Sequence, residues 1–173
     1  MSGVPAPLRL GNWKLTVENW RPGSTPTTTA KGTITVELGS LKPWKSVPEL
    51  EYSSGIGRYS TTFEMVRGWK DGVGAHLDLG IVNFGYKLRV NGTEVKASQT
   101  NTLVDIGPCL KAATNALGVE VAASLNNRPK NLHDIASRTL DCCGLLGSGG
   151  TSTTDGLGGA VTVTPCKVIV VHR

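Results

Sequence analysis

The sequence predicts an all-β protein, a single-domain antiparallel β-sandwich. Three observations carry the prediction. Between residues 52 and 95, three runs in succession alternate apolar and polar residues: Tyr59, Thr61, Phe63 and Met65 against Ser60, Thr62 and Glu64; Ala75, Leu77 and Leu79 against His76, Asp78 and Gly80; Tyr86, Leu88 and Val90 against Lys87 and Arg89. Period-two alternation marks strands with one buried face. The third run ends at Asn91-Gly92, a hairpin signal, because a type I′ turn needs positive φ at both central residues. Glycine, serine and threonine are plentiful and few segments have helical periodicity, as expected of many short strands joined by turns.

The remaining elements follow in chain order. Residues 1–11 are expected to form an N-terminal tail and 12–173 the sandwich. A first strand fits the stretch up to residue 20, with Trp13, Leu15 and Val17 on one face and Lys14, Thr16 and Glu18 on the other; Trp20 would cover an end of the sandwich. Residues 21–31 read as a loop, because Pro22 and Pro26 argue against a central strand. Residues 33–38 form a second strand with Ile34, Val36 and Leu38 inward, and residues 41–48 an irregular crossing in which Pro43 and Pro48 bracket Trp44. Residues 67–72 read as a solvated turn with Trp69 at its tip, and Thr93-Glu94-Val95 pairs back after the Asn91-Gly92 hairpin. A short strand is expected over 102–106 and one helical turn over 108–113. Leu117, Val119 and Val121 then alternate with Gly118, Glu120 and Ala122. Residues 131–141 read as a short helix or loop, and 148–159 as a flexible excursion rich in glycine, serine and threonine. Val161, Val163 and residues 168–171 close the chain as a strand pair, or as one strand broken at Pro165.

A chain of 173 residues fits one domain and is long enough to bury a core without staples. The formal charge of +5 is modest, and the lysines and arginines are scattered without aromatic interleaving; this argues against a nucleic-acid partner, whose first requirement is a basic patch. No run approaches the ~18 apolar residues of a membrane span, so no membrane association is expected. Residues 1–10 lack the apolar core of a signal peptide. That leaves a cytosolic chain or a piece of a longer secreted protein.

The chain carries no Gly-x-Ser-x-Gly elbow, HExxH pair or P-loop. A glycosidase needs two carboxylates roughly 5–10 Å apart, and the sequence does not bring together any two of Glu49, Glu51, Asp71, Asp105, Asp134, Asp141 and Asp155. No catalytic residues are assigned. Four cysteines, Cys109, Cys142, Cys143 and Cys166, allow three pairings. A bond between the adjacent Cys142 and Cys143 would be strained, which favours the other two; buried free thiols are the alternative. A zinc site is disfavoured, with no CxxC pair and three histidines far apart in sequence. Asn91-Gly92-Thr93 is also an N-glycosylation pattern, in competition with its role as a turn.

A longer series of motifs points further. Arg58-Tyr59-Ser60-Thr61-Thr62-Phe63, Leu77-Asp78-Leu79-Gly80, Arg89-Val90-Asn91-Gly92, Asp105-Ile106-Gly107-Pro108-Cys109-Leu110-Lys111 and Thr114-Asn115 occur in this order. They are accompanied by Pro43-Trp44-Lys45, Tyr52-Ser53-Ser54-Gly55, Leu125-Asn126-Asn127-Arg128 and Gly144-Leu145-Leu146-Gly147. The series resembles the galactose-binding-like, sugar-binding jelly-roll domain that accompanies many glycoside hydrolases, and most of all the C-terminal domain of α-L-rhamnosidase-like proteins. It covers roughly residues 13–171.

The resemblance implies a non-catalytic carbohydrate-binding module for plant or microbial polysaccharide, partnered with a glycoside hydrolase catalytic domain in a longer secreted protein. It implies structural calcium as a possibility, although no dense acidic loop supplies the oxygens calcium takes. Cys109 and Cys166 stand where relatives tend to have tyrosine, a hint of acquired disulfide partners. In relatives Gly-Leu-Leu-Gly runs straight into the last strand; here residues 148–159 intervene. The alternatives are a purely architectural domain packed on a catalytic partner, or a small glycan-acting enzyme.

Sugar recognition uses an aromatic face and fixed polar partners for hydroxyls. The residues expected to supply them are Trp44, Trp69, Asn126, Asn127 and Arg128, followed by Arg58 and Tyr52. For Trp44 the competing role is a plug at the end of the sandwich; for Asn126 and Asn127 it is hydrogen bonding to their own backbone in a turn.

Overall fold

The computed structural model describes residues 6–25, 27–65, 73–82, 85–98, 101–123 and 155–167. Within them the chain forms strands β1 (Leu8–Arg9), β2 (Trp13–Pro22), β3 (Thr29–Leu38), β4 (Gly55–Glu64), β5 (Val73–Asp78), β6 (Ile81–Val82), β7 (Tyr86–Val90), β8 (Thr93–Val95), β9 (Leu103–Asp105), β10 (Thr114–Ala122), β11 (Leu157–Gly158) and β12 (Thr162–Lys167). A six-stranded sheet has the order β3-β2-β4-β10-β7-β8, and a four-stranded sheet the order β1-β12-β5-β9. β11 and β6 pair as a small third sheet. Every pairing is antiparallel. The protein is an all-β sandwich.

The alternation read in the sequence sets the layers. Trp13, Leu15 and Val17 on β2, Tyr59 and Phe63 on β4, Leu117, Val119 and Val121 on β10, and Tyr86, Leu88 and Val90 on β7 are all buried. Ala75, Leu77, Val104 and Val163 join them from the other sheet, with Val161 just before β12, in one hydrophobic core. The rings of Tyr59 and Trp13 pack edge to face, with centroids 6.4 Å apart and planes at 83°, a favoured aromatic arrangement.

Several boundaries move. Leu8–Arg9, expected within the tail, pairs with β12, and Leu10 is buried, so the sandwich begins before residue 12. β2 and β3 extend to a rung at Pro22 and Thr29, so much of the expected 21–31 loop is hairpin ladder. Pro22 is tolerated because it ends its strand. Asp155, Gly156 and Leu157, expected within a flexible excursion, are buried; residues 148–154 lie outside the described residues. Pro165 does not break the last strand, since β12 runs through it opposite Ala75. The Ala75 carbonyl accepts from Ile106 N at 2.9 Å, so Ala75 directs its polar groups away from β12 and the Ala75–Pro165 rung is a non-bonded one. The proline nitrogen therefore faces the side where β1, paired only to Thr162 and Val163, has ended. A missing N–H costs no ladder bond there.

Candidate functional site

Two arrangements of side chains stand out, one inside the sandwich and one on its outer face. Inside, the turn Trp44–Ser46 that follows Pro43 drives Trp44 into the core, where it is 0% exposed. Its indole Nε1 donates to the Tyr59 hydroxyl at 2.7 Å, and the backbone N–H of Leu157 donates to the same oxygen at 3.0 Å. Trp44 N also donates to the Asp155 carbonyl at 3.2 Å. Burial pushes the Tyr59 phenol pKa up from its ordinary value, against the two donors, which lower it. Gly156 has φ +95°, and a Cβ there would sit 2.5 Å from the Tyr59 hydroxyl and 2.6 Å from the Trp44 ring; only glycine fits. Gly57 is flat for the same reason, since a Cβ there would lie 2.5 Å from the indole.

Trp44 was expected to offer a ring for sugar stacking or, in competition, a plug at the end of the sandwich. The structure corrects the first and bears out the second: the enclosed indole has no free face, and its N–H is spent on Tyr59. Tyr52 is 45% exposed, and Glu51 beside it raises its phenol pKa. Arg58 is exposed on the outer face of β4. Trp69, Asn126, Asn127 and Arg128 lie outside the described residues, as do Cys142 and Cys143. Cys109 and Cys166 are free thiols in this structure, each half-buried; the favoured pairings would join them to Cys142 and Cys143. Asn91 has φ +52° and Gly92 φ +83°, and the Val90–Thr93 rung closes over them, as the hairpin reading requires. The Asn91 Nδ2 donates to Cys109 O and to Asn115 Oδ1, both at 2.8 Å. Both its hydrogens are engaged, so a glycan on this nitrogen would break one of these bonds.

The outer face of the six-stranded sheet carries a polar array fixed by register. Glu120 lies between Arg58 and Lys87, and the neighbouring row places Gly118 between Ser60 and Arg89. The missing side chain at Gly118 leaves a pit. A Cβ there would approach nothing closer than 4.0 Å, and a concavity of about 210 Å³ opens above it. Arg58 Nε donates to Glu120 Oε2 at 3.0 Å, and its Nη1 lies 3.7 Å from Glu18 Oε2. Arg89 lies 3.4 Å from Glu94. Lys87 makes no ion pair among the described residues. Glu18 accepts from Lys31 Nζ at 2.9 Å and from the Trp20 indole at 2.7 Å; these bonds, Lys31 first, hold its carboxyl pKa below the ordinary value. Lys31 Nζ also stands 4.8 Å from the centroid of the Trp20 ring. A second depression, of about 340 Å³, lies at the sheet edge between Glu37, Lys42, Ser46 and Glu49. Among the described residues no three His, Cys, Asp or Glu gather as metal ligands, and no helix is long and apolar enough to cross a membrane.

This geometry sits on a fold known from solved structures. A rhamnosidase from Novosphingobium sp. PP1Y superposes with a TM-score of 0.66 at 23% identity, over 95% of this chain and 15% of that one. An FMN-binding β-glucuronidase from Facaelibacterium prausnitzii L2-6 gives a TM-score of 0.55 at 18% identity, over 94% and 22%. A GH2 β-galacturonidase from Eisenbergiella tayi gives 0.56 at 15% identity, over 94% and 24%. The chain thus corresponds to a domain-sized part of much longer glycoside hydrolases. At these identities the likeness is one of fold. No protein-family model and no curated protein matches the sequence.

Sequence reasoning named Arg58 but passed over Lys87, Arg89, Ser60, Gly118 and Glu120. Their signal was present in the same alternating runs: each sits at a polar or small position, on the face opposite the core. What the runs do not carry is which strands are neighbours, and that alone brings the five around one pit.

Proposed function

We propose that the chain is a non-catalytic accessory domain of galactose-binding-like type from a rhamnosidase-like glycoside hydrolase, and that it binds plant or microbial polysaccharide as part of a longer secreted protein. The observation that carries this reading is the superposition of nearly the whole chain on a small fraction of a rhamnosidase. A concavity lined by charged side chains over a largely apolar floor, on rigid strands, supports the binding role, because an apolar surface with a few fixed donors and acceptors is what a sugar needs. Glu18, one of the two carboxylates flanking Arg58, has its pKa shifted down, the opposite of what a glycosidase acid requires.

A glycan array probed with the purified chain tests the proposal. Saturable binding to one class of oligosaccharide is the expected result; a blank array overturns carbohydrate binding. An architectural role would then take its place, packed on a glycoside hydrolase catalytic domain. One observation favours it: the inward row of edge strand β3, Ile34, Val36 and Leu38, is only half covered.

A further inference from the structure

We propose that the pit over Gly118 is a binding site for a carboxylate-bearing sugar, the uronic acid residue of an acidic glycan. The inference rests on the carbohydrate-binding reading above and specifies its ligand class and location. The first argument is charge. Arg58, Lys87 and Arg89 surround the pit against one lining carboxylate, Glu120. Glu120 is already bonded to Arg58 Nε, and the guanidinium keeps further N–H groups for a ligand. Lys87, without an ion pair among the described residues, is the cation left for an incoming anion. The edge depression differs, for its lining pairs Lys42 with two carboxylates, Glu37 and Glu49.

The second argument is shape and stiffness. The pit is below the roughly 300–1,000 Å³ usual for drug-sized ligands, so it suits one sugar residue and leaves the rest of a chain in solvent. Its walls stand on three adjacent strands, β4, β10 and β7, all hydrogen-bonded on both sides. Arg58 is held from two directions by Glu18 and Glu120, which reduces the side-chain ordering that binding would otherwise require. A guanidinium presents paired N–H groups to a carboxylate, while Ser60 and Glu120 in the same lining offer partners for ring hydroxyls.

The test is calorimetric titration of the 173-residue chain with trigalacturonic acid, its methyl ester, a panel of neutral oligosaccharides and polyglutamate, at low and physiological salt. Lys87→Ala, Arg89→Ala and Gly118→Val are compared with Lys42→Ala at the distant depression, and circular dichroism verifies the fold of each. Gly118→Val fills the pit in space that is open with a residue favoured in strands. The expected result is binding of the acid, about tenfold weaker binding of the ester, and a loss of at least about tenfold in Lys87→Ala and Arg89→Ala, which remove charge-assisted bonds, and in Gly118→Val, which fills the pit. Lys42→Ala should leave affinity unchanged, and added salt should weaken binding. If acid, ester and neutral glycans bind alike, or the pit variants bind as well as the unaltered chain, this inference is overturned and the carbohydrate reading stands. If polyglutamate competes as well as the uronide, the pit recognises acidic protein surfaces instead, and the inference fails. If no glycan binds, both readings fail together.

Discussion

The hydroxyl of Tyr59 is a single oxygen with two buried donors aimed at it, one from Trp44 and one from Leu157. Removing it strands both. Tyr59→Phe is therefore expected to cost roughly 1–3 kcal/mol per stranded donor, read as a lower urea midpoint at unchanged slope. The same residue sets a pH limit. Its phenol pKa is raised in the folded protein, so on raising the pH the unfolded chain gives up this proton first. The contribution is complete below the unfolded value of about 10 and is lost as pH rises through the folded one. Stability measured across the alkaline range should fall less steeply in Tyr59→Phe than in the unaltered protein. A parallel fall in both would assign the slope to other groups, such as Tyr86, whose burial shifts it in the same direction.

At the scale of elements, the turn after β7 and the turn before β10 are locked by a pair of asparagines. Asn115 is fully buried. Its Oδ1 accepts from Lys111 N and Asn91 Nδ2, each at 2.8 Å, and its Nδ2 donates to the carbonyls of Lys111 and Ala113. Asn91 Oδ1 accepts from Ala116 N at 2.9 Å, so the two amides join the hairpin turn to the stretch that leads into β10. Asn115→Asp sets a carboxylate against two carbonyls, and about 3–5 kcal/mol is the expected loss for an uncompensated buried charge; thermal unfolding at neutral pH measures it. Asn91-Gly92 was legible as a hairpin because two-residue turns have their own local chemistry. Asn115 was legible only as part of a turn, since its partners at Asn91 and Lys111 are set by how β10 packs. Pro165 misled for a related reason: a proline rules out a ladder bond only on the side where a strand is present, and the sequence does not say how far β1 reaches.

The whole sandwich was readable because each strand with a buried face advertises that face in period two. Tyr59, Leu88 and Val119 were assigned inward from the sequence, and all are buried. The candidate site was less readable. Trp44 was open to stacking or plugging, and its burial beneath Gly57 and Gly156 decides between them. Arg58, Lys87 and Gly118 are separated in sequence and become one site through strand order. The cysteines give a further whole-molecule check. Alkylation of the unreduced, denatured protein followed by peptide mapping should find Cys109 and Cys166 labelled, as the free thiols of the structure require; unlabelled peptides at these positions would restore the disulfide expected from the sequence.

β1 and β12 lie side by side and antiparallel, with Leu8 opposite Val163 and Arg9 opposite Thr162. Followed outward, the two strands leave their shared ladder at the same end of the four-stranded sheet. A pull on the flanking chain would therefore load the two rungs one after the other, as a zipper opens, instead of sharing the force between them in shear. Tethered between neighbouring domains, this fold would yield at that seam at low force, with β1 peeling away before the core is strained.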